Sequence, residues 1–173
     1  MTTKTKNRRR HTLPTFGEVV PGAGGRLGAI MRGALVGGVR QPDYAIIVPD
    51  LPTVSLQWGE YGKEVPNCNS LTDGLANTQA MLAAKCPPAL HIADLNAKHE
   101  HKDLYLPARG ELWALRANVP ELFEKGWHWS STQDSSNHAF IQDFEYGLSY
   151  WYFKDTTYRV RPVRRIQLQH FTD

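Results

Sequence analysis

The hydrophobic pattern divides the chain into a strand-rich first part, a helical middle and a strand-rich last part. Short apolar runs at residues 27–31 and 34–36 are separated by glycine, which predicts two strands and a turn. Tyr44–Val48 is β-branched, apolar and followed by Pro49, which predicts a stronger strand. Residues 54–58 are expected to pair with this strand.

The middle part carries the helical pattern. Thr72 or Asp73 is suited to cap a helix over residues 75–84, where apolar positions recur at helical spacing. The prolines at positions 87 and 88 are expected to end this helix. A second helix is predicted to begin near Ala108.

From Gly126 onward, short aromatic and β-branched runs alternate with polar or glycine breaks, which is typical of hairpins. The predicted order is therefore strands, helix, helix, strands. This order indicates an α+β fold in which two helices pack on short antiparallel sheets. The strands expected in this part cover residues 127–129, 139–144, 149–153 and 158–168.

Composition adds a domain division. The 173 residues, of which 41% are hydrophobic, predict one domain over residues 14–173 preceded by a basic arm over residues 1–13. Without the arm the rest of the chain is close to neutral. We expect the arm to bind an acidic surface of another protein subunit rather than nucleic acid; a solvated leader is the alternative. Its basic residues are Lys4, Lys6, Arg8, Arg9 and Arg10.

The chain has no apolar run of the length that a membrane span requires, and no apolar region follows the charged N-terminus. We therefore expect no membrane insertion, no secretory signal and a reducing compartment. In that compartment Cys68 and Cys86 are expected to be free thiols, with a disulfide as the alternative.

No set of residues predicts catalysis or a cofactor. The glycine-rich segment at positions 22–25 lacks the ending of a phosphate-binding loop. His99 and His101, with Asp103 nearby, are metal-ligand types that would share one side of a strand, but an exposed polar loop is the preferred interpretation. The serines lack the motif that surrounds a catalytic nucleophile. We expect neither a metal site nor an enzyme.

The pattern indicates a recognition surface instead. On a strand over residues 150–153, alternate aromatic side chains face opposite sides, so one pair can pack and the other can be displayed. Exposed aromatics beside a Ser- and Asn-rich loop are typical of binding surfaces. The alternative is that all four aromatics are buried. The candidate binding residues are Asp134, Ser135, Ser136, Asn137, His138, Tyr150, Trp151 and Tyr152.

Four ordered motifs carry a family resemblance. They are Asp73-Gly74 with Asn77-Thr78, then residues 104–112, residues 127–132 and residues 159–164. With them the chain resembles a domain family of unknown function, best known from the C-terminal head of a collagen-like bacterial adhesin and common in phage and prophage tail-region proteins. The Asp-Phe-x-x-Gly hairpin at residues 143–147 is similar to phage members.

The resemblance implies a C-type-lectin-like fold. One departure is Leu104, which stands where the family usually has Trp. In this interpretation Glu111 ties a loop, Pro107 orients a helix start, and Trp129 belongs to the core. The enzymatic relatives depend on cysteines near the C-terminus, and this chain has none after Cys86. The arginines implied to make internal or interface ion pairs are Arg159, Arg161 and Arg164.

The expected function follows from this resemblance and from the display surface. It is a non-enzymatic phage virion or tail-associated protein, made in the host cytoplasm, whose lectin-like head binds a host surface protein or glycan or a neighbouring virion subunit. The arm would bind other virion proteins, and analogy implies a homotrimer. Alternatives are a capsid or baseplate decoration protein without receptor binding, and an intracellular phage effector that binds a host protein.

Overall fold

The computed structural model describes residues 13–171 and has a mixed α+β architecture, as the sequence predicts. The described residues form eleven strands. In chain order they are β1 (Val19–Val20), β2 (Gly25–Met31), β3 (Leu35–Val36), β4 (Val39–Arg40), β5 (Tyr44–Val48), β6 (Val54–Gln57), β7 (Trp127–Gln133), β8 (His138–Asp143), β9 (Ser149–Phe153), β10 (Thr157–Val160) and β11 (Arg164–Gln167).

These strands build two main sheets and a small hairpin. The four-stranded sheet has the order β1-β2-β5-β11, and the five-stranded sheet has the order β6-β10-β7-β8-β9. Neighbouring strands are antiparallel except β10 and β7, which are parallel. β3 and β4 pair only with each other. Strand β9 therefore lies at one edge of the larger sheet.

The described residues contain three α-helices, so the prediction of two was wrong. They are α1 (Gly74–Ala83), α2 (Pro87–Lys98) and α3 (Arg109–Asn118), with 3₁₀ turns at Pro120–Leu122 and Leu168–Phe171. Asp73 caps α1 as predicted, because its carboxylate accepts from the Ala76 amide. The prolines expected only to end α1 also begin α2, since proline suits the first helical turn, where amide groups have no helical partner. None of the described helices has the length and apolar character to cross a bilayer.

Three strand predictions need correction. β6 pairs with β10 and not with β5. The polar segment at residues 130–132 was expected to be a loop, but it continues β7 and is buried. The single strand expected over residues 158–168 is two strands, β10 and β11, which belong to different sheets. Pro162 lies between them and cannot donate to a ladder, which helps the chain to change sheets.

The core fills the space between the sheets and the helices. One cluster surrounds Trp58 and Trp129, both fully buried, and it includes side chains of α1 and α2. A second cluster packs α3 against β2 and β5 through Leu112 and Leu115. The prediction that Trp129 belongs to the core is confirmed. The first cluster packs against the larger sheet and the second against the four-stranded sheet.

Candidate functional site

Glu111 is the centre of a buried hydrogen-bond cluster that joins α1, β5 and α3. Its carboxylate accepts from the hydroxyls of Tyr44 and Tyr105, at 2.7 Å each, and from the amides of Gly74 at 3.1 Å and Ala108 at 2.8 Å. Burial raises the pKa of Glu111, and the hydrogen bonds from Ala108, Tyr44 and Tyr105 oppose the rise. The prediction that Glu111 ties a loop is confirmed. We call these five residues the Glu111 hub.

The polar residues of the Trp-Ser-Ser-Thr motif also serve the framework. The Thr132 hydroxyl donates to the Ser70 carbonyl at 2.8 Å and accepts from the Arg109 amide at 2.9 Å. The Asn77 side chain donates to the same Ser70 carbonyl at 2.8 Å. These bonds join β7, α1 and the start of α3. The motif therefore supports the fold and offers no free nucleophile at these positions.

A partly exposed aromatic surface lies on one side of the larger sheet. Trp127 is 5.6 Å from Tyr150 and 6.4 Å from Tyr158, and Tyr152 is 5.5 Å from Tyr158, between ring centroids. Tyr150 and Tyr152 keep 54% and 39% of their surface exposed. We call these four residues the tyrosine face. Burial, with Tyr152 beside it, raises the pKa of Tyr158 to about 12.

Strand register produces the tyrosine face. Tyr150 lies opposite Ile141, and Tyr152 lies opposite Ala139, so both tyrosines share the side of β8 that carries these buried residues. Side chains that lie opposite each other in an antiparallel pair share a face. The two tyrosines therefore lie beside buried apolar residues of β8 and remain partly exposed to solvent.

The predicted polar loop at residues 134–138 is a tight turn between β7 and β8. The Asp134 amide donates to the His138 carbonyl at 3.0 Å, and the Ser135 hydroxyl accepts from the amides of Asn137 and His138. The Asn137 carbonyl accepts from the Lys154 amide at 3.0 Å, just after β9. The turn therefore lies beside the end of β9 and next to Tyr152. Ser136 is half-buried in this turn.

Trp151 and His138 lie on the other side of the larger sheet from Tyr150 and Tyr152. The Trp151 ring is 5.4 Å from Phe140, and the His138 ring is 4.9 Å from Phe153, the residue opposite it on β9. The Arg109 guanidinium lies over three rings on this side, 4.2 Å from the Trp113 centroid, 5.1 Å from Phe140 and 5.4 Å from Trp151. The predicted set of eight residues is thus divided between two faces. Six of them lie at the tyrosine face or in the turn beside it, and Trp151 and His138 lie on the other face.

Sequence reasoning did not identify Arg109 or Trp113 as surface features. Both belong to α3, four residues apart, and this spacing places them on one helix side. Trp127 and Tyr158 were treated as motif and strand residues, yet their rings complete the tyrosine face. The sequence shows the helical spacing of Arg109 and Trp113. It does not show that β9 pairs with β8 and β10 with β7, and these pairings bring the rings of the tyrosine face together.

Lys154 is fully buried and has no carboxylate within hydrogen-bond distance among the described residues. Its ammonium donates to Gln133 Oε1 at 2.8 Å and to the Lys63 carbonyl at 3.0 Å, and it lies 4.7 Å from the Trp58 ring centroid. Burial lowers the pKa of Lys154. The side chain holds the loop before residue 66 against β7.

Cys68 and Cys86 are buried free thiols, as predicted. Burial raises the pKa of the Cys68 thiol to about 12 and also raises that of Cys86. The thiolate is the reactive form of cysteine, and the raised pKa values keep both groups in the protonated form at neutral pH. They behave as small apolar core residues.

The histidine cluster lies in the loop after α2 and not on a strand. His99 Nδ1 is 3.1 Å from the His101 amide, so this nitrogen is occupied by the backbone. Asp103 accepts two hydrogen bonds from Arg164, each 2.9 Å long. Within residues 13–171, no three His, Cys, Asp or Glu side chains are grouped so that they could hold a metal ion.

The arginines of the last motif differ in their partners. Arg164 pairs with Asp103, and Arg159 pairs with Glu124 at 3.1 Å. Arg161 was expected to make an ion pair, but its guanidinium donates to the carbonyls of Pro49, at 2.9 Å, and Leu51. Those carbonyls belong to the loop between β5 and β6. All three arginines therefore join distant segments of the described chain.

The basic residues predicted to bind a partner, Lys4, Lys6, Arg8, Arg9 and Arg10, lie outside the described residues. The other candidate residues lie inside them, on or beside β7, β8 and β9. The surface available for binding is thus the tyrosine face, the turn at residues 134–138 and the cluster around Arg109.

Neither models of known protein families nor curated protein sequences give a match to this chain. Among solved structures, a fimbrial protein from Bacteroides ovatus ATCC 8483 is similar with 14% identity and a TM-score of 0.47. The similarity covers 69% of this chain and 35% of that chain, so this chain spans about a third of that protein. At this level the similarity decides neither the fold family nor the function.

Proposed function

We propose that the chain has a C-type-lectin-like fold and serves as a non-enzymatic virion or tail-associated protein of a phage. Its head binds a host surface molecule or a neighbouring virion subunit through the tyrosine face and the turn at residues 134–138. The fold family and the phage context rest on the four sequence motifs. The binding surface rests on the arrangement of the aromatic rings.

One observation carries the proposed binding role. Tyr150 and Tyr152 are exposed, yet each ring is held by a neighbouring ring, Trp127 or Tyr158. Tyrosine and tryptophan rings that are already ordered lose little conformational freedom on binding, and their hydroxyl or indole groups can hydrogen-bond a ligand. An ordered, exposed aromatic surface is therefore suited to recognition.

The polar turn adds hydrogen-bonding groups at one end of this surface. The Asp134 carboxylate is exposed, and the Ser136 and Asn137 side chains are half-buried beside it. Neither the turn nor the tyrosine face includes a buried acid or base poised for proton transfer. The buried ionisable residues Glu111 and Lys154 bond to the framework instead. This division of roles supports binding without catalysis.

The first experiment asks where the protein is found. Phage particles from a strain that carries the gene are purified, and their proteins are identified by mass spectrometry. The proposal expects this chain among the virion proteins. Its absence from purified particles would contradict the virion assignment and favour the intracellular effector.

The second experiment uses particles that carry the double substitution Tyr150→Ala and Tyr152→Ala. We expect their adsorption to host cells to fall at least about tenfold, because losing each anchor ring costs on the order of 1 kcal/mol or more of binding energy. Tyr146→Ala is the matched control, since Tyr146 is 77% exposed but lies in the turn between β8 and β9, outside the tyrosine face.

Normal adsorption of the double variant, with unchanged particle assembly, would contradict receptor binding at this face. Failed assembly of the double variant would instead assign the face to a neighbouring virion subunit. Lower adsorption of the Tyr146→Ala particles to the same degree would show that any lost tyrosine has this effect. The face would then have no special role.

A further inference from the structure

The outer edge of β9 is an unpaired strand edge. β9 has one neighbour, β8, and within residues 13–171 no strand is paired with its other side. Such an edge presents backbone donors and acceptors in a row and can pair with a further strand. The residues of β9 contain no charge and no proline, although both are common protections of exposed edges.

The direction of the free backbone groups follows from two flanking hydrogen bonds. The Asp143 amide donates to the Leu148 carbonyl at 2.8 Å, and the Lys154 amide donates to the Asn137 carbonyl at 3.0 Å. Hydrogen-bonded pairs in an antiparallel ladder recur at every second residue. Tyr150 and Tyr152 therefore bond to β8, and the amides of Ser149, Trp151 and Phe153 point away from the sheet.

The other edges of the two main sheets are less suited to pairing. β11 carries Arg164 and Arg165, and β1 has only two residues. β6 is short, follows Pro52, and has α2 packed against it. β9 is longer than these and carries four consecutive aromatic residues. It is the described edge with the strongest tendency to pair.

We propose that β9 pairs with β9 of a second copy of this chain, antiparallel and centred on Trp151, so that the two larger sheets become one continuous sheet. In this register Trp151 lies opposite Trp151 of the second copy, and Ser149 lies opposite Phe153. The outward amides and carbonyls of these residues face each other, and the Phe153 carbonyl also accepts from the Thr156 amide of its own chain. The pairing does not depend on the proposed receptor or on the phage context.

Side-chain chemistry favours a second copy over an unrelated strand. Tyr150 of one copy lies opposite Tyr152 of the other, and directly opposite aromatic residues stabilise antiparallel pairs. The nearest charged residue after the strand is Lys154, whose ammonium is buried inside its own domain. No like charges therefore oppose each other across the new ladder. The tyrosine faces of the two copies become continuous.

Oligomeric mass gives the first test. Light scattering of the purified chain should report twice the chain mass, in contrast to the trimer that the family resemblance implies. Ser149→Pro removes one outward amide without removing a bond to β8, and should shift the mass toward a single chain. Ser149→Ala keeps the amide and should leave the pair intact. Phe153→Lys should also weaken the pair, because each copy then adds one positive charge to the shared ladder.

A crosslinking test checks the register. Ser149 and Phe153 of the second copy would have Cα atoms about 5.5 Å apart, within the range that a disulfide spans. A mixture of Ser149→Cys and Phe153→Cys chains should therefore form crosslinked pairs under mild oxidation. Ser149→Cys alone should not, because its two copies would lie about 13 Å apart along the ladder.

The outcomes are decisive for the pairing. A wild-type mass of one or three chains overturns it, as does a pair that survives both Ser149→Pro and Phe153→Lys with wild-type melting curves. A variant that unfolds at a lower temperature than the wild type is not used, and the crosslinking mixture then tests the pairing. Equal crosslinking in the mixture and in the single variants also overturns the proposal. None of these results bears on the adsorption test.

Discussion

The Glu111 hub and the tyrosine face both contain tyrosines, and two pairs among them behave in opposite ways. Tyr44 and Tyr105 are buried, and both hydroxyls donate to one carboxylate. Tyr150 and Tyr152 are exposed, and they contact other rings. The hydroxyls of the first pair make hydrogen bonds inside the protein. The second pair leaves its hydroxyl groups available to a partner.

This difference separates residues that maintain the fold from residues that can recognise something else. A buried hydroxyl that loses its partner costs free energy, so substitution in the hub must weaken the fold. Removal of an exposed ring costs the protein only the few contacts that this ring makes. The contrast predicts large stability effects in the hub and small ones at the face.

The largest effect is expected from Glu111→Ala. This change leaves two hydroxyls and two amides without their acceptor, and it should lower the free energy of unfolding by about 4 kcal/mol or more. Urea unfolding followed by circular dichroism measures the loss. Glu111→Gln keeps one acceptor oxygen and should show a smaller loss. A loss below about 1 kcal/mol for Glu111→Ala would show that the hub does not stabilise the fold.

The next largest effect is expected from acid, which should lower the free energy of unfolding through the buried His128. His128 is buried, its Nδ1 is 3.0 Å from the Gly126 carbonyl, and its ring lies 4.8 Å from Phe144. Burial lowers the pKa of His128 to about 4, so the unfolded chain binds a proton below pH 6.5 that the folded chain refuses. The stabilisation is therefore complete above about pH 6.5 and falls as the pH drops toward 4, by about 3 kcal/mol in total.

Unfolding free energies measured across this pH range check the prediction for His128. His128→Leu should flatten the dependence between pH 6.5 and 4, because the titrating group is gone. Gln142→Leu, which replaces a buried polar side chain that does not titrate, is the control and should keep the wild-type slope. A wild-type slope in His128→Leu would assign the acid sensitivity to other groups.

The smallest effects are expected when a single tyrosine hydroxyl is removed, either from the Glu111 hub or from the tyrosine face. Tyr105→Phe removes a hydroxyl that bonds to Glu111 and should cost about 1.5–3 kcal/mol of unfolding free energy. Tyr150→Phe removes the same atom from an exposed ring and should cost nearly nothing. Thermal and urea unfolding of both variants measure the difference. Equal losses would contradict the contrast between the hub and the face.

Several elements could be predicted because their signals are local. The strand at Tyr44–Val48, the Asp73 cap and the beginning of α3 after Ala108 all follow from neighbouring residues. The alternation of side chains on β9 was also predictable, since it needs only the period of a strand. The error at Pro87 has a physical cause. Proline both ends one helix and begins the next, and the sequence does not show which of these occurs.

Long-range pairing decided the rest. Whether residues 130–132 form a loop or a buried strand depends on the segment at Ser70, which lies far away in the sequence. Whether Tyr158 belongs to the same surface as Tyr152 depends on how β10 enters the larger sheet. The acceptors of Arg161 are carbonyls that no local pattern marks.

By itself the sequence determined the α+β class, the strand and helix periods, and the residue types available for binding. These depend on local sterics and on hydrophobic spacing, which neighbouring residues contain. Only the tertiary structure decided that Trp151 faces Arg109 while Tyr150 and Tyr152 join the tyrosine face, and that β9 has a free edge. Those properties arise when strands distant in the chain pair in one register, because pairing places side chains together and leaves one backbone edge open.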